Sequence, residues 1–138
     1  MFPVTFHIIE SIQDPQFANL ASLFVDFPDS VWIIKPGENT NRGVGIQVAQ
    51  GLKEVEAKVK EASAALGEDR TVIVQKYIEK PLLVYKRKFD IRVFGLMTCV
   101  EGVLRGYFYE EGYLRTSSKE FSLKTLGNKY IHLTNDAI

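Results

Sequence analysis

Between Trp32 and Ile46 the chain reads WIIKPGENTNRGVGI, and no other stretch limits its fold as tightly. An apolar run from Val31 to Ile34 delivers Lys35 at its end. A loop of Gly, Asn and Thr follows with Arg42 inside it, and apolar residues resume at Val44, Ile46 and Val48. The pattern predicts a strand, a polar loop and a second strand, a hairpin whose tip can lie over a polyphosphate. Gly37, Gly43 and Gly45 would let the backbone approach an anion closely and aim N–H groups at it. Lys35 would add a fixed positive charge. Taken alone, such a hairpin is more often only a turn.

The flanking sequence supplies the other elements. Val4 to Ile9 is a short apolar piece. Asp14 is placed to cap a helix with Pro15 in its first turn, where Phe17, Leu20, Leu23 and Phe24 recur at helical spacing. Leu52, Val55, Val59, Ala62 and Leu66 form one stripe among Lys, Glu and Ala, which predicts a long amphipathic helix ended by Gly67. Thr71 to Tyr77 reads as a buried strand. Phe89 to Val100 reads as one further strand, turning at Glu101-Gly102 into Val103 to Tyr109. Glu111-Gly112 turns again, Phe121 and Leu123 to Leu126 fall in a loop or short helix, and Tyr130 to Leu133 reads as the start of a last strand. The expected class is α+β or α/β, mostly antiparallel, with one long helix. The end at Ile138, without a capping element, points to a truncated fold.

Composition narrows the function classes. The 138 residues carry 17 Lys and Arg against 17 Asp and Glu, so no net field draws the chain to nucleic acid or membrane. The single Cys99 excludes an intramolecular disulfide and fits a reducing, cytoplasmic setting. It reads as a core residue, His7 as structural, and Trp32 with the Phe and Tyr residues as core filling.

Four clusters carry the chemistry. Lys35 with its loop is the first. Gln75-Lys76-Tyr77-Ile78, at a strand end before Pro81, offers the backbone donor–acceptor pair and apolar walls that an adenine requires. Lys88, Asp90 and Arg92 alternate along a strand and share a face. Such charges are costly to bury unless something charged meets them, although alone they read as a solvated face with weak ion pairs. Arg115 and His132-Leu133-Thr134-Asn135 form the last cluster.

The segments FPVTFHI, WIIKPGENTNRGVGI, VIVQKYIEKPLL, KRKFDIRVFGLM, YLRTSS and HLTNDAI run in one register along nearly the whole chain. Together they resemble the central part of the catalytic domain of the tubulin–tyrosine ligase-like family, an ATP-grasp fold. The resemblance implies that Lys35 contacts the nucleotide phosphates under a glycine loop carrying Arg42, Gly43 and Gly45. It implies that Gln75, Lys76, Tyr77 and Ile78 line the adenine site. Lys88, Asp90, Arg92 and Arg115 would surround the phosphates and the reacting groups, with His132, Thr134 and Asn135 adding polar contacts. The implied cofactors are ATP and Mg2+, and the implied partners are a free amino acid and the acidic carboxyl-terminal tails of tubulin. The implied chemistry makes an acylphosphate and then an amide bond, in a cytoskeletal, ciliary or flagellar setting.

One departure stands out. The family's magnesium-binding residues, an Asp and then Glu-x-Asn, are expected beyond the HLTN segment and are not in these 138 residues. An amino-terminal substrate-binding domain is expected before it. The fragment alone is therefore expected to be inactive, as part of a ligase adding glutamate, glycine or tyrosine. The motif style sits closer to the glutamate- and glycine-adding members. A non-catalytic ATP- or tubulin-binding module, or an inactive truncated fragment, is the alternative. An unrelated ATP-grasp enzyme acting on a metabolite is disfavoured by VQKYIEKPLL and KRKFDIRVFGL.

Overall fold

The computed structural model describes residues 2–37, 43–67 and 70–134, so Arg42 and Asn135 lie outside the described residues. Four strands, β1 (Thr5–Ile8), β2 (Val31–Pro36), β3 (Gln47–Gln50) and β4 (Val72–Lys76), form an antiparallel sheet in the order β1-β4-β2-β3. Register places Trp32 opposite both Ala49 and Lys76, and Lys35 opposite Ile73. Because side chains alternate, Trp32, Ile34, Val72 and Val74 point to one face. There they pack with Phe17, Leu20, Phe24, Val55 and Val59 in the main core. Val31, Ile33, Lys35, Gln75 and Tyr77 belong to the opposite face, where Val31, Val48 and Tyr77 meet Phe121, Leu123 and Leu126 in a smaller cluster.

Two helices cover the first face. In α1 (Pro15–Asp26) the Asp14 side chain accepts from the Gln16 N–H, with Pro15 at the first helical position. The same carboxylate also accepts from the N–H groups of Ile9 and Glu10, so one side chain ties β1 to the helix start. The predicted stripe is the buried one in α2 (Gly51–Leu66), through Val55, Val59 and Ala62. It ends at Gly67, whose φ of 87° suits a residue without a Cβ.

Beyond β4 the structure departs from two expectations. Phe89 to Val100 is not one strand. It divides into β5 (Phe89–Arg92) and β6 (Gly95–Val100), because the chain changes partner at Val93-Phe94. β6 pairs with β7 (Val103–Phe108), whereas β5 pairs with β8 (Tyr113–Thr116), and the turn between β7 and β8 separates the two ladders. The Glu101-Gly102 turn was foreseen, and both residues have positive φ, 52° and 79°, as a two-residue hairpin of native twist requires. Tyr130 to Leu133 does not begin a strand. The short helix α3 (Lys129–His132) forms there because the Asn128 side chain accepts from Tyr130 N–H. That local cap outweighs the strand preference of Tyr and Ile.

Two core assignments are also corrected. Cys99 is exposed, since every residue of β6 except Thr98 and every residue of β7 is exposed. Trp32, Phe17 and Phe24 fill the core, but Phe2, Tyr85, Tyr107 and Phe108 are exposed instead. Among the described residues no helix is long and apolar enough to cross a membrane.

Burial pushes the Asp14 carboxyl up, yet its three backbone hydrogen bonds outweigh this and hold it below its ordinary range. A depressed folded pKa stabilises above the unfolded value and loses that contribution as pH falls through the folded one. Asp14→Ala is expected to cost about 1–2 kcal/mol near neutral pH. In urea titrations its difference from wild type should shrink as pH falls below the unfolded value near 3.8.

Candidate functional site

On the sheet face away from the helices lies a cleft of about 380 Å³. Lys35, Gln75 and Lys88 supply polar groups, and Ile33, Tyr77, Ile78, Pro81, Leu82 and Phe89 supply apolar walls. Strand alternation puts Lys35 and Gln75 there, diagonal neighbours on the adjacent strands β2 and β4. Lys35 Nζ donates to Gln75 Oε1 at 2.9 Å. Because lysine is only a donor, this fixes the amide, whose Nε2 then donates to Thr5 Oγ1 at 2.8 Å. The β1 hydroxyl thus holds the amide that holds the lysine.

Lys88 enters from the residue preceding β5. Its Nζ donates to the Tyr77 hydroxyl at 3.2 Å and to the His132 carbonyl at 3.1 Å, and lies 4.8 Å from the Tyr77 ring centroid. Its backbone is clasped by Ser117, which is fully buried. Ser117 N–H donates to the Lys88 carbonyl, Lys88 N–H donates to Ser117 Oγ, and Ser117 Oγ donates to the Lys119 carbonyl. The sequence signal for this clasp was present in YLRTSS, but nothing in the pattern singled out Ser117.

The electrostatics of the pair are unfavourable without an anion. Burial lowers the pKa of Lys35. Burial also lowers that of Lys88, and the nearby charge of Lys35 lowers it further. Two half-buried ammonium groups that repel each other would both be stabilised by one polyanion. Apolar walls beside them suit a flat base.

The other predicted residues are placed differently. Gly43 and Gly45 have φ of 72° and 76°, as the loop ends require. A Cβ on Gly45 would come within 2.6 Å of the Pro36 ring, so the hairpin closes only with glycine there. Lys76 borders the cleft, but its ammonium turns to the helix side, 5.9 Å from the Trp32 ring and paired with Glu79. The N–H groups of Lys76 and Tyr77 are used by Val4 and Val31. Ile78, 59% exposed, is the second residue past β4 and is open to a ligand.

Asp90 and Arg115 meet each other rather than the cleft. They are register partners on β5 and β8. The Arg115 guanidinium reaches both carboxylate oxygens, with Nη2 to Oδ2 at 2.6 Å and Nε to Oδ2 at 2.9 Å and to Oδ1 at 3.2 Å. Burial pushes the Asp90 carboxyl up, but hydrogen bonds from Arg115 and Thr134, with the charges of Arg115 and Arg92, hold it low. Thr134 is therefore brought to Asp90. Arg92 is exposed at the end of β5. His132 is 3% exposed, its ring nitrogens lie against the Tyr77 hydroxyl and the Thr125 carbonyl, and it does not line this cleft but borders a larger one.

A larger cleft of about 500 Å³ lies between β3, α2 and the segment from Leu126 to Leu133. Glu54 and Glu61 line it together with Lys58 and Lys129, so its carboxylates oppose the cations a phosphate needs. The smaller cleft has the better chemistry.

The arrangement is that of an α+β domain able to hold a polyanion beside an apolar surface. The chain matches the model of the tubulin-tyrosine ligase family over residues 4–138, and it belongs to that family. It is 36% identical over 135 residues to tubulin glycylase 3B of Drosophila melanogaster, covering 89% of this chain and 17% of that protein. Identity is 42% over 125 residues to tubulin glycylase 3D of Tetrahymena thermophila, covering 91% of this chain and 11% of that protein. Mouse tubulin monoglycylase TTLL3 is 42% identical over 109 residues, covering 79% of this chain and 11% of that protein. The chain thus spans less than a fifth of each of these relatives. Among solved structures, the C-terminal domain of Pby1 from K. lactis, an ATP-grasp enzyme, superposes with a TM-score of 0.47 at 20% identity, covering 91% of this chain and 35% of that one.

Ser117→Ala would leave the N–H of Lys88 and the carbonyl of Lys119 without their buried partner. The expected cost is about 1–3 kcal/mol in chemical denaturation. A change within experimental error would show that the clasp does not hold this corner of the fold.

Proposed function

We propose that the chain carries the nucleotide-binding part of an ATP-dependent ligase that joins an amino acid to tubulin. The observation behind this reading is the pairing of Lys35 and Lys88 in one cleft walled by Ile33, Ile78, Pro81 and Leu82. A triphosphate would neutralise the two cations, and a base would lie on the apolar wall with the Ile78 backbone within reach. Family membership supports the ligase class, and the glycylase relatives favour glycine over glutamate or tyrosine. Acidic tubulin tails and a cytoskeletal, ciliary setting would follow from that substrate.

In this chemistry the γ-phosphoryl group moves to a carboxylate oxygen, the bond to the β,γ-bridging oxygen breaks and ADP leaves. An amine nitrogen then attacks the acyl carbon, phosphate leaves, the nitrogen loses a proton, and an amide results. Lys35 and Lys88 would spread the charge that builds on the phosphoryl oxygens. Asp90 and Arg115, locked together, would hold the edge of the cleft through β5. Arg92, at the end of the same strand, is open to an acidic acceptor. Gly43 and Gly45 would set the course of the loop that carries Arg42, and Thr134 would steady Asp90. Among the described residues no three His, Cys, Asp or Glu side chains converge. The residues described do not by themselves compose a magnesium site.

Lys35→Met should weaken ATP binding by roughly tenfold or more, as loss of a charge-assisted contact would. Lys58→Met, in the larger cleft, should leave it unchanged. Titration calorimetry on protein containing this chain reads both. Wild-type affinity in Lys35→Met, or loss in Lys58→Met, would refute the assignment. Transfer of labelled glycine to tubulin by the longer protein then separates a ligase from a module that only binds.

A further inference from the structure

His132 has no use in the chemistry above, yet it is almost wholly enclosed and both of its ring nitrogens are engaged. Nε2 lies 3.2 Å from the Thr125 carbonyl oxygen, and Nδ1 lies 2.8 Å from the Tyr77 hydroxyl. A carbonyl only accepts, so Nε2 carries the proton and Nδ1 is the acceptor. The Tyr77 hydroxyl must then donate to Nδ1, and its oxygen lone pairs are left to accept from Lys88 Nζ at 3.2 Å. The direction of every proton along Lys88, Tyr77, His132 and Thr125 is thereby fixed by one backbone carbonyl.

The surroundings keep the chain rigid. The Tyr77 ring stacks on Phe121 at 6.5 Å and 11°, and the His132 ring stands edge-on to both, 5.6 Å from Tyr77 and 6.2 Å from Phe121. The His132 backbone carbonyl accepts a second proton of Lys88 at 3.1 Å, so the histidine grips the ammonium twice, once through tyrosine and once directly. Among the described residues the third ammonium proton has no partner, and it borders the cleft.

We propose that His132 is a positioning residue: by orienting the Tyr77 hydroxyl it fixes the Lys88 ammonium so that its remaining proton faces an anion in the cleft. Burial and the Lys88 charge both lower the histidine pKa against the opposing pull of Thr125, which keeps the imidazole neutral and Nδ1 able to accept. This rests on the nucleotide reading for its consequence, but the positioning itself is a property of the protein alone.

Three substitutions separate positioning from packing. In His132→Asn the side-chain oxygen can replace Nδ1 and keep the tyrosine bond. His132→Gln can keep the Thr125 bond but offers nothing at Nδ1. Tyr77→Phe removes the hydroxyl while retaining the ring. Exchange of the Lys88 ammonium protons with water, followed by NMR on the full chain carrying 15N-lysine, is the first readout. It should quicken several-fold in Tyr77→Phe and His132→Gln and stay near wild type in His132→Asn. ATP affinity by calorimetry is the second, expected to fall roughly tenfold in the same two variants and to recover in His132→Asn. Their double variant should be no worse than either alone.

Unchanged exchange in a folded Tyr77→Phe protein overturns the proposal, as does His132→Gln outperforming His132→Asn. If His132→Gln does not fold, Tyr77→Phe decides alone. Faster exchange with undiminished ATP affinity overturns the link to the anion. If wild type binds no ATP while exchange behaves as expected, the nucleotide reading falls and the positioning of Lys88 stands.

Discussion

The pairing of β2 with β4 is the constraint from which the rest follows. Its register sets Trp32, Ile34, Val72 and Val74 against the helices and leaves Ile33, Lys35, Gln75 and Tyr77 on the open face. A slip of one residue would exchange the two sets, placing Lys35 in the core and Trp32 in the cleft. Burial of Trp32 and Ile34, at 2% and 0% exposure, makes that slip prohibitively expensive. Thus the hydrophobic face determines where the lysine points. The Lys35 to Gln75 bond and the Gln75 to Thr5 bond link three of the four strands, β2, β4 and β1, and depend on the same register.

A second frame meets the first at Lys88. The β5–β8 ladder is held at its start by Ser117 and along its length by Asp90 and Arg115, and the 117–133 segment returns Phe121 and His132 to Tyr77. Tyr77 is the joint. It directly follows β4, packs in the smaller cluster, and accepts from the lysine that the other frame delivers. The cleft is therefore assembled from two separately stabilised pieces whose cations would repel without a ligand.

Sequence reading succeeded where one local rule governed the outcome. Asp14-Pro15 and the Leu52 to Leu66 stripe specified both helices, because capping and 3.6-residue periodicity need no knowledge of partners. Lys35 stood out because it ends an apolar run before glycines. The break at Val93-Phe94 was hidden because both halves favour strand, and only the separation of β7 from β8 makes the chain bend there. Asn128 capped a helix in a segment whose Tyr and Ile favoured a strand. The resemblance brought His132 to notice as a polar contact, but its inward turn depends on Tyr77, 55 positions away. Exposure of Cys99 and of the β6–β7 hairpin likewise follows from what packs beside it, which no local pattern encodes.

The central claim is that the cleft between Lys35 and Lys88 receives ATP. Photolabelling with 8-azido-ATP, followed by peptide mapping with and without excess ATP, tests it most directly. The account predicts label within Gln75 to Leu82 that excess ATP suppresses. Suppressible label instead on Gly45 to Val48 or Leu126 to Leu133 would place the nucleotide in the larger cleft and contradict the account.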